Sequence, residues 1–69
     1  MIIVDAKGLS CPQPVIETKK ALASRPEEAA VIVDNIAARE NVSRYANAMG
    51  YDIDVSFDNG QTRILLKRR

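Results

Sequence analysis

The sequence feature that most constrains this fold is a junction between an apolar segment and a helix. Residues 1–4 are all apolar and predict a strand, and residues 13–24 predict a helix. Gly8 allows a sharp turn between them, while Pro12 and Pro14 favour a first helical turn because proline lacks an N–H and has a helical φ. Since a residue before proline avoids α geometry, we expect Cys11 to be extended just before the helix, where open α/β sheets often carry functional groups.

The predicted position of Cys11 would favour chemistry at sulfur. Unpaired N–H groups and the positive end of the helix dipole would face the thiol, which lowers a cysteine pKa from its usual value of about 8.5. Lys7, Lys19 and Lys20 could add positive potential. The alternative is a buried cysteine that acts only as a small hydrophobic residue, and the spacing alone leaves both interpretations open.

The middle of the chain predicts a second strand and a second helix. Residues 29–33 form an uninterrupted apolar run, typical of an interior parallel strand. Asp34 and Asn35 can cap the helix that follows. The apolar stripe of that helix is predicted to lie in the core and consists of Ala38, Val42, Tyr45 and Met49.

The last part of the chain predicts a hairpin. Odd-numbered residues from 51 to 57 are apolar and should face inward, while Asp52 and Asp54 face outward, as suits a protected edge strand. Asn59 and Gly60 predict a two-residue type I′ turn. That turn pairs Phe57 with Thr62, and the pairing agrees with the alternation.

These elements predict one domain over residues 1–69 with the order β-α-β-α-β-β. Successive right-handed crossovers place both helices on one face, so the fold class is a two-layer α/β sandwich with a mixed four-stranded sheet. The apolar run of residues 1–4 predicts a first strand buried on both faces or inside the sheet.

Composition excludes several kinds of chemistry. With one cysteine and no histidine, we expect no intramolecular disulfide, no zinc site of the common type, no Cys-His dyad and no bound cofactor. The chain has no run of apolar residues long enough for a membrane span, which predicts a reducing cytoplasmic setting. A net charge of +1 predicts no general attraction to nucleic acid or membrane. The basic segment 67–69 is expected to be a solvated end.

A longer motif surrounds the cysteine. Residues 5–14 read D-A-K-G-L-S-C-P-Q-P and residues 18–22 read T-K-K-A-L. The segment resembles the signature of the TusA-like (SirA-like) sulfur-carrier family, D-x-x-G-L-x-C-P-x-P before a T-K-K-A-L helix. Residues 34–35 and 40–44 also resemble the YedF-like branch, which is associated with selenium metabolism. The resemblance implies a strand order of 1-2-4-3 with the last strand antiparallel to its neighbours.

The resemblance also implies a function. In such proteins the motif cysteine accepts a sulfane sulfur as a persulfide, a role that would fall on Cys11 and make the chain a sulfurtransferase-type carrier of sulfur or selenium. Gly8, Leu9, Pro12 and Pro14 would shape the loop around it. The implied partners are a cysteine desulfurase or other persulfide donor and a downstream acceptor protein, and the partners would supply acid, base and cofactor.

Two other functions remain open on the sequence alone. The basic end and a helix face could form a small RNA-binding module, although the small number of aromatic residues and the lack of a G-x-x-G loop count against that function. A regulatory module that binds partner proteins without transfer chemistry is the second. The sequence does not determine the donor, the acceptor or whether the cargo is sulfur or selenium. It also does not determine the oligomeric state, or whether the chain is a whole protein or one domain.

Overall fold

The computed structural model describes residues 1–10 and 12–69. Within these residues the chain forms two helices and four strands in the predicted order. Their bounds are β1 Ile2–Asp5, α1 Gln13–Leu22, β2 Glu28–Val33, α2 Ile36–Ala48, β3 Tyr51–Asp58 and β4 Gln61–Arg68. In the described part of the chain, neither helix is long and apolar enough to cross a membrane.

The strands form one mixed sheet in the order β1-β2-β4-β3. β1 is parallel to β2, and β4 is antiparallel to both of its neighbours. Leu22 of α1 and Val42 of α2 belong to the same core cluster as Val31 of β2 and Leu66 of β4. Both helices therefore cover the same face of the sheet, and the predicted two-layer α/β sandwich is confirmed.

The β3–β4 hairpin has the predicted register. Phe57 is opposite Thr62, and Asp58 is opposite Gln61 next to the turn. Asn59 and Gly60 have φ values of 49° and 76°, and two central residues with positive φ are what a type I′ turn requires.

The prediction that β1 is buried is wrong. β1 is the first strand in the sheet order and has a neighbour on one side only. Ile3, on the face away from the helices, is 63% exposed. An apolar run thus predicted the strand but not its position at the sheet edge.

Two other core predictions hold only in part. Along α2, Ala38 and Val42 are buried and Tyr45 is half-buried, but Met49 is exposed because the helix ends at Ala48. Along β3, Tyr51 is fully buried, whereas exposure rises towards the hairpin. The helix layer therefore covers the start of β3 better than its end.

The first helix ends at Leu22, two residues before the predicted end. Arg25 has a φ of 54° and donates its N–H to the Leu22 carbonyl at 3.0 Å. Its guanidinium donates to the Met49 carbonyl at 2.6 Å and lies 5.4 Å from the centre of the Tyr51 ring. The Tyr51 hydroxyl donates to the Pro26 carbonyl at 2.7 Å.

The prediction of a solvated basic end is wrong for Arg68 and Arg69. Arg69 donates to the backbone carbonyls of Asn47 and Tyr51 at 2.9 and 3.0 Å and forms an ion pair with Asp52 at 3.1 Å. Arg68 donates to the Arg25 carbonyl and lies 3.7 Å from the Glu27 carboxylate. We call Arg25, Arg68 and Arg69 the arginine cluster. It ties the ends of both helices to the sheet.

Candidate functional site

The loop that leads to Cys11 begins where β1 and β2 end side by side. Asp5 is in register with Ile32, and the Ala6 N–H donates to the Ile32 carbonyl at 2.8 Å. Ala6 is fully buried. The loop therefore leaves the sheet from a fixed position at the carboxyl ends of two parallel strands, which is the usual location of functional sites in such sheets.

Backbone amides of the loop are held by carboxylates. The Lys7 N–H donates to Asp5 at 3.1 Å, and the Gly8 N–H donates to Asp34 at 2.9 Å. Gly8 has a φ of +75°, a conformation that side chains rarely adopt, and a Cβ built there would meet nothing within 4 Å. Leu9 packs partly buried against the core and donates its N–H to the Ala6 carbonyl at 3.4 Å. Each residue from 7 to 9 thus has a defined backbone contact.

Asp34 has a different role from the helix cap that the sequence analysis predicted for it. Asn35, not Asp34, is the N-cap of α2: its side-chain oxygen accepts the Ala38 N–H at 2.8 Å. Asp34 instead reaches across to residues 6–10, the segment that leads to Cys11, which we call the cysteine loop. Sequence reasoning missed this contact, although an acidic residue directly after the strand beside β1 was the available signal, because carboxyl ends of parallel strands meet at one edge.

The two prolines lie where the helix starts. Pro12 directly precedes α1 and is exposed, and Pro14 is buried in the first turn. Neither has an N–H, and the Gln13 and Ile16 N–H groups donate to the Ser10 and Pro12 carbonyls at 2.8 and 3.1 Å. The first turn therefore offers fewer free backbone N–H donors than a first turn without prolines, and the positive potential that such donors carry at a helix start is smaller here.

Cys11 lies outside the described residues, so its extended conformation, exposure and role stay predictions. Its neighbours Ser10 and Pro12 are both exposed. The described chain on either side of position 11 is at the surface, at the end of the sheet where β1 and β2 stop and α1 begins.

The lysines that were predicted to support the site lie at different distances from it. Lys19 and Lys20 are in the last turn of α1, so their backbones are about 10 and 12 Å along the axis from Pro12 at 1.5 Å per residue. Lys20 is 3.5 Å from Glu17, and Lys7 of the loop is 3.9 Å from Asp5. At about one Debye length, Lys19 and Lys20 would act weakly on the first turn, and Lys7 is the nearer cation in sequence.

Comparisons with known proteins agree with this geometry. The family model described as "Sulfurtransferase TusA" matches residues 2–68. The chain is 37% identical over 68 residues to "Putative sulfur carrier protein MJ0990" of Methanocaldococcus jannaschii, covering 94% of this chain and 91% of that protein. It is 30% identical over 61 residues to "Putative sulfur carrier protein YrkI" of Bacillus subtilis, covering 84% and 80%. The crystal structure of a SirA-like protein from Desulfitobacterium hafniense has a TM-score of 0.87 and 41% identity, covering 97% of this chain and 96% of that one.

Proposed function

This chain belongs to the TusA sulfurtransferase family, and from that premise we propose that it carries sulfane sulfur as a persulfide on Cys11. The observation that carries the proposal is the match of nearly the whole chain to sulfur carriers, together with a cysteine between Ser10 and Pro12 in the motif that starts α1. We propose the same domain extent, residues 1–69, as one functional unit.

The proposed reaction needs no oxidant. The Cys11 thiolate attacks the terminal sulfur of a donor persulfide, R–S–SH. A new S–S bond forms to Cys11, the donor S–S bond breaks, and the donor sulfur leaves as a thiolate. In the second step an acceptor nucleophile takes the terminal sulfur and Cys11 leaves as a thiolate, which returns the carrier to its starting state.

The loop geometry supports this role for the residues around Cys11. Gly8 is held by Asp34, Leu9 is packed against the core, and Pro14 is buried. A fixed loop would present the sulfur in one orientation to each partner, which reduces the entropy lost on forming the transfer complex. We propose that Gly8, Leu9, Pro12 and Pro14 set the position of the loop and that Cys11 alone bonds to the transferred atom.

The partners would supply the acid and base for the transfer. The chain has no histidine, so it lacks the side chain that titrates near neutral pH in its ordinary state. We propose a cysteine desulfurase or another persulfide donor on one side and an acceptor protein on the other, with sulfur as the cargo. The reducing cytoplasm is the proposed setting, because a lone thiol must stay unoxidised between transfers.

Mass spectrometry of the intact protein tests the proposal. The 69-residue protein is incubated with a cysteine desulfurase and cysteine, separated from small molecules and measured without reductant. We expect a mass increase of one sulfur atom that reductant removes, and peptide mapping should locate it on Cys11. The same reaction with a selenium donor tests the resemblance to the selenium-associated branch.

Cys11→Ser is the matched control, since it keeps a small polar side chain at the same position. It should take up no sulfur while its unfolding midpoint stays close to that of the parent. Absence of any adduct on the parent protein, with the desulfurase shown to be active on another acceptor, would refute the carrier function and leave a binding module without transfer chemistry.

A further inference from the structure

The outer edge of β3 has the features of a site for strand addition. β3 is eight residues long and is the last strand in the sheet order. Asp58 and Gln61 flank a two-residue turn and are opposite each other, so they form a hydrogen-bonded pair and the alternation continues along the strand. The N–H and C=O groups of Ile53, Val55 and Phe57 therefore point away from β4, towards the free edge.

The two faces of this strand differ in chemistry. On the helix side, Val55 is 37% exposed and Phe57 is 70% exposed, and the Arg39 guanidinium of α2 lies 5.9 Å from the centre of the Phe57 ring. On the opposite side, Asp54 and Asp58 are both exposed. An extended chain added to this edge would meet an apolar surface on one side and carboxylates on the other.

We propose that the free edge of β3 binds an extended segment of a partner protein whose residues alternate between apolar and basic. Its apolar side chains would cover Val55 and Phe57, and its basic side chains would lie beside Asp54 and Asp58. Backbone hydrogen bonds to the edge would supply part of the affinity, and the alternating side chains would supply the specificity.

The occupied edge of the same strand shows the pattern that β3 accepts. β4 places Ile64 opposite Val55 on the helix side. On the other side it places Lys67 opposite Asp52 and Arg63 opposite Ser56, between Asp54 and Asp58, which are themselves opposite Leu65 and Gln61. β4 thus already presents Ile64 and Leu66 to the helix side of β3 and two basic residues, Arg63 and Lys67, to its acidic side, in antiparallel register. A partner segment of the same pattern would meet complementary charge on the free edge as well.

The acidic residues also disfavour a second copy of this chain as the occupant. If two β3 strands paired antiparallel about Asp54, that residue would face its own copy. Pairing about Val55 would place Asp52 opposite Asp58, and pairing about Ser56 would place Asp54 opposite Asp58. Like charges directly opposite each other destabilise strand pairing, so each of these registers is penalised while a basic segment is favoured.

The proposed surface is separate from the sulfur site. β1, which leads to the cysteine loop, and β3 are at opposite edges of the sheet, about 14 Å apart at the usual spacing of strands. The inference therefore goes beyond the proposed sulfur transfer and does not depend on it.

A peptide with the sequence of residues 61–68, QTRILLKR, is the probe. It is titrated into the intact ¹⁵N-labelled protein and followed by amide chemical shifts and hydrogen exchange. We expect the largest shifts and a slowing of exchange at Ile53, Val55 and Phe57, and affinity that falls as salt rises. The control peptide carries Arg63→Glu and Lys67→Glu, and it should bind about tenfold more weakly because attraction becomes repulsion at two positions.

Substitutions in the protein, rather than in the peptide, test the same charge pairs. Asp54→Lys combined with Asp58→Lys should weaken binding of the probe about tenfold and improve binding of the control peptide. Ile3→Ala on the opposite edge and Cys11→Ser should leave binding unchanged. If the double variant does not fold, the comparison of the two peptides on the parent protein decides alone.

Several results would overturn the inference. They are equal binding of the two peptides, shifts centred on β1, replacement of β4 by the probe, and a dimer of the protein paired through β3. Displacement of the probe by a nucleic acid bound to the same residues would also assign the edge to another class of partner.

Discussion

The two ends of the sheet are built in different ways. At the end that carries the cysteine loop, the Gly8 N–H is held by one exposed carboxylate, Asp34. At the opposite end, the single side chain of Arg69 contacts Asn47, Tyr51 and Asp52. The hydroxyl of the fully buried Tyr51 donates a hydrogen bond to the Pro26 carbonyl. The arginine cluster therefore joins several elements, whereas the described residues of the cysteine loop are joined to β2 and the residue after it through the Ile32 carbonyl and the Asp34 carboxylate.

This difference indicates a division between stability and function. A loop that hands an atom to other proteins has to stay exposed, so a few directed contacts such as the hydrogen bond from Gly8 to Asp34 must hold its position. Exposed elements with such roles belong to the less stable part of a fold. The arginine cluster lies away from the cysteine loop, so its contacts can be strong without restricting that loop. Substitutions at the two ends should therefore change different properties.

The largest expected effect is on the free energy of unfolding, from Tyr51→Ala. Removing a fully buried aromatic side chain costs about 3–5 kcal/mol, and urea unfolding measures it. Tyr51→Phe keeps the ring and loses the bond to Pro26, at a cost of about 1 kcal/mol. The Phe variant should accept sulfur at the parental rate, and a large loss of sulfur uptake in that variant would show that the two ends are coupled.

Gly8→Ala and Gly60→Ala form a matched pair for the next effect. Both glycines have a φ near +75°, and a Cβ at either position meets nothing within 4 Å. Each substitution should cost about 1–2 kcal/mol of stability through the left-handed backbone alone. Sulfur uptake by the folded protein should fall several-fold for Gly8→Ala and stay unchanged for Gly60→Ala. Equal uptake by both variants would contradict a role for Gly8 in positioning the loop.

Local patterns in the sequence predicted the elements and the hairpin. The helix start at the two prolines and the register of Phe57 with Thr62 follow from backbone preferences of a few neighbouring residues, and such preferences act locally. The strand order came from the family resemblance rather than from periodicity. The alternation of apolar and polar residues in β3 predicted the face of the sheet on which Phe57 lies. The exposure of the Phe57 side chain depends on how far α2 extends over the sheet.

Contacts between distant residues were not predictable in the same way. The bond from Gly8 to Asp34 joins residues 26 apart, and the bond from Arg69 to the Asn47 carbonyl joins residues 22 apart. Residue type alone predicted a cap for Asp34 and a solvated end for Arg69. The actual partners are backbone groups whose position is fixed only when the sheet has formed.

Arg69→Ala tests the arginine cluster with a smaller change. The Arg69 side chain is partly exposed, yet it satisfies two backbone carbonyls near the end of α2 and the start of β3. We expect a loss of about 1 kcal/mol in the free energy of unfolding, with sulfur uptake unchanged. Asp52→Asn removes only the exposed ion pair and should cost less, within about 0.5 kcal/mol. A larger loss from Asp52→Asn than from Arg69→Ala would assign the stability to the ion pair instead of the carbonyl bonds.

Asp34→Ala should have the smallest effect on stability and a clear effect on function. Asp34 is exposed and contacts the loop through the Gly8 N–H, so its removal should change the free energy of unfolding by no more than about 0.5 kcal/mol. Because the loop would lose the acceptor that holds Gly8, sulfur uptake measured by mass spectrometry over time should slow several-fold. Asp34→Asn keeps a side-chain oxygen that can accept the same N–H, and it should restore most of the rate. If Asn is as slow as Ala, the negative charge near the loop matters rather than the hydrogen bond. If neither is slow, the cysteine loop needs no anchor from Asp34.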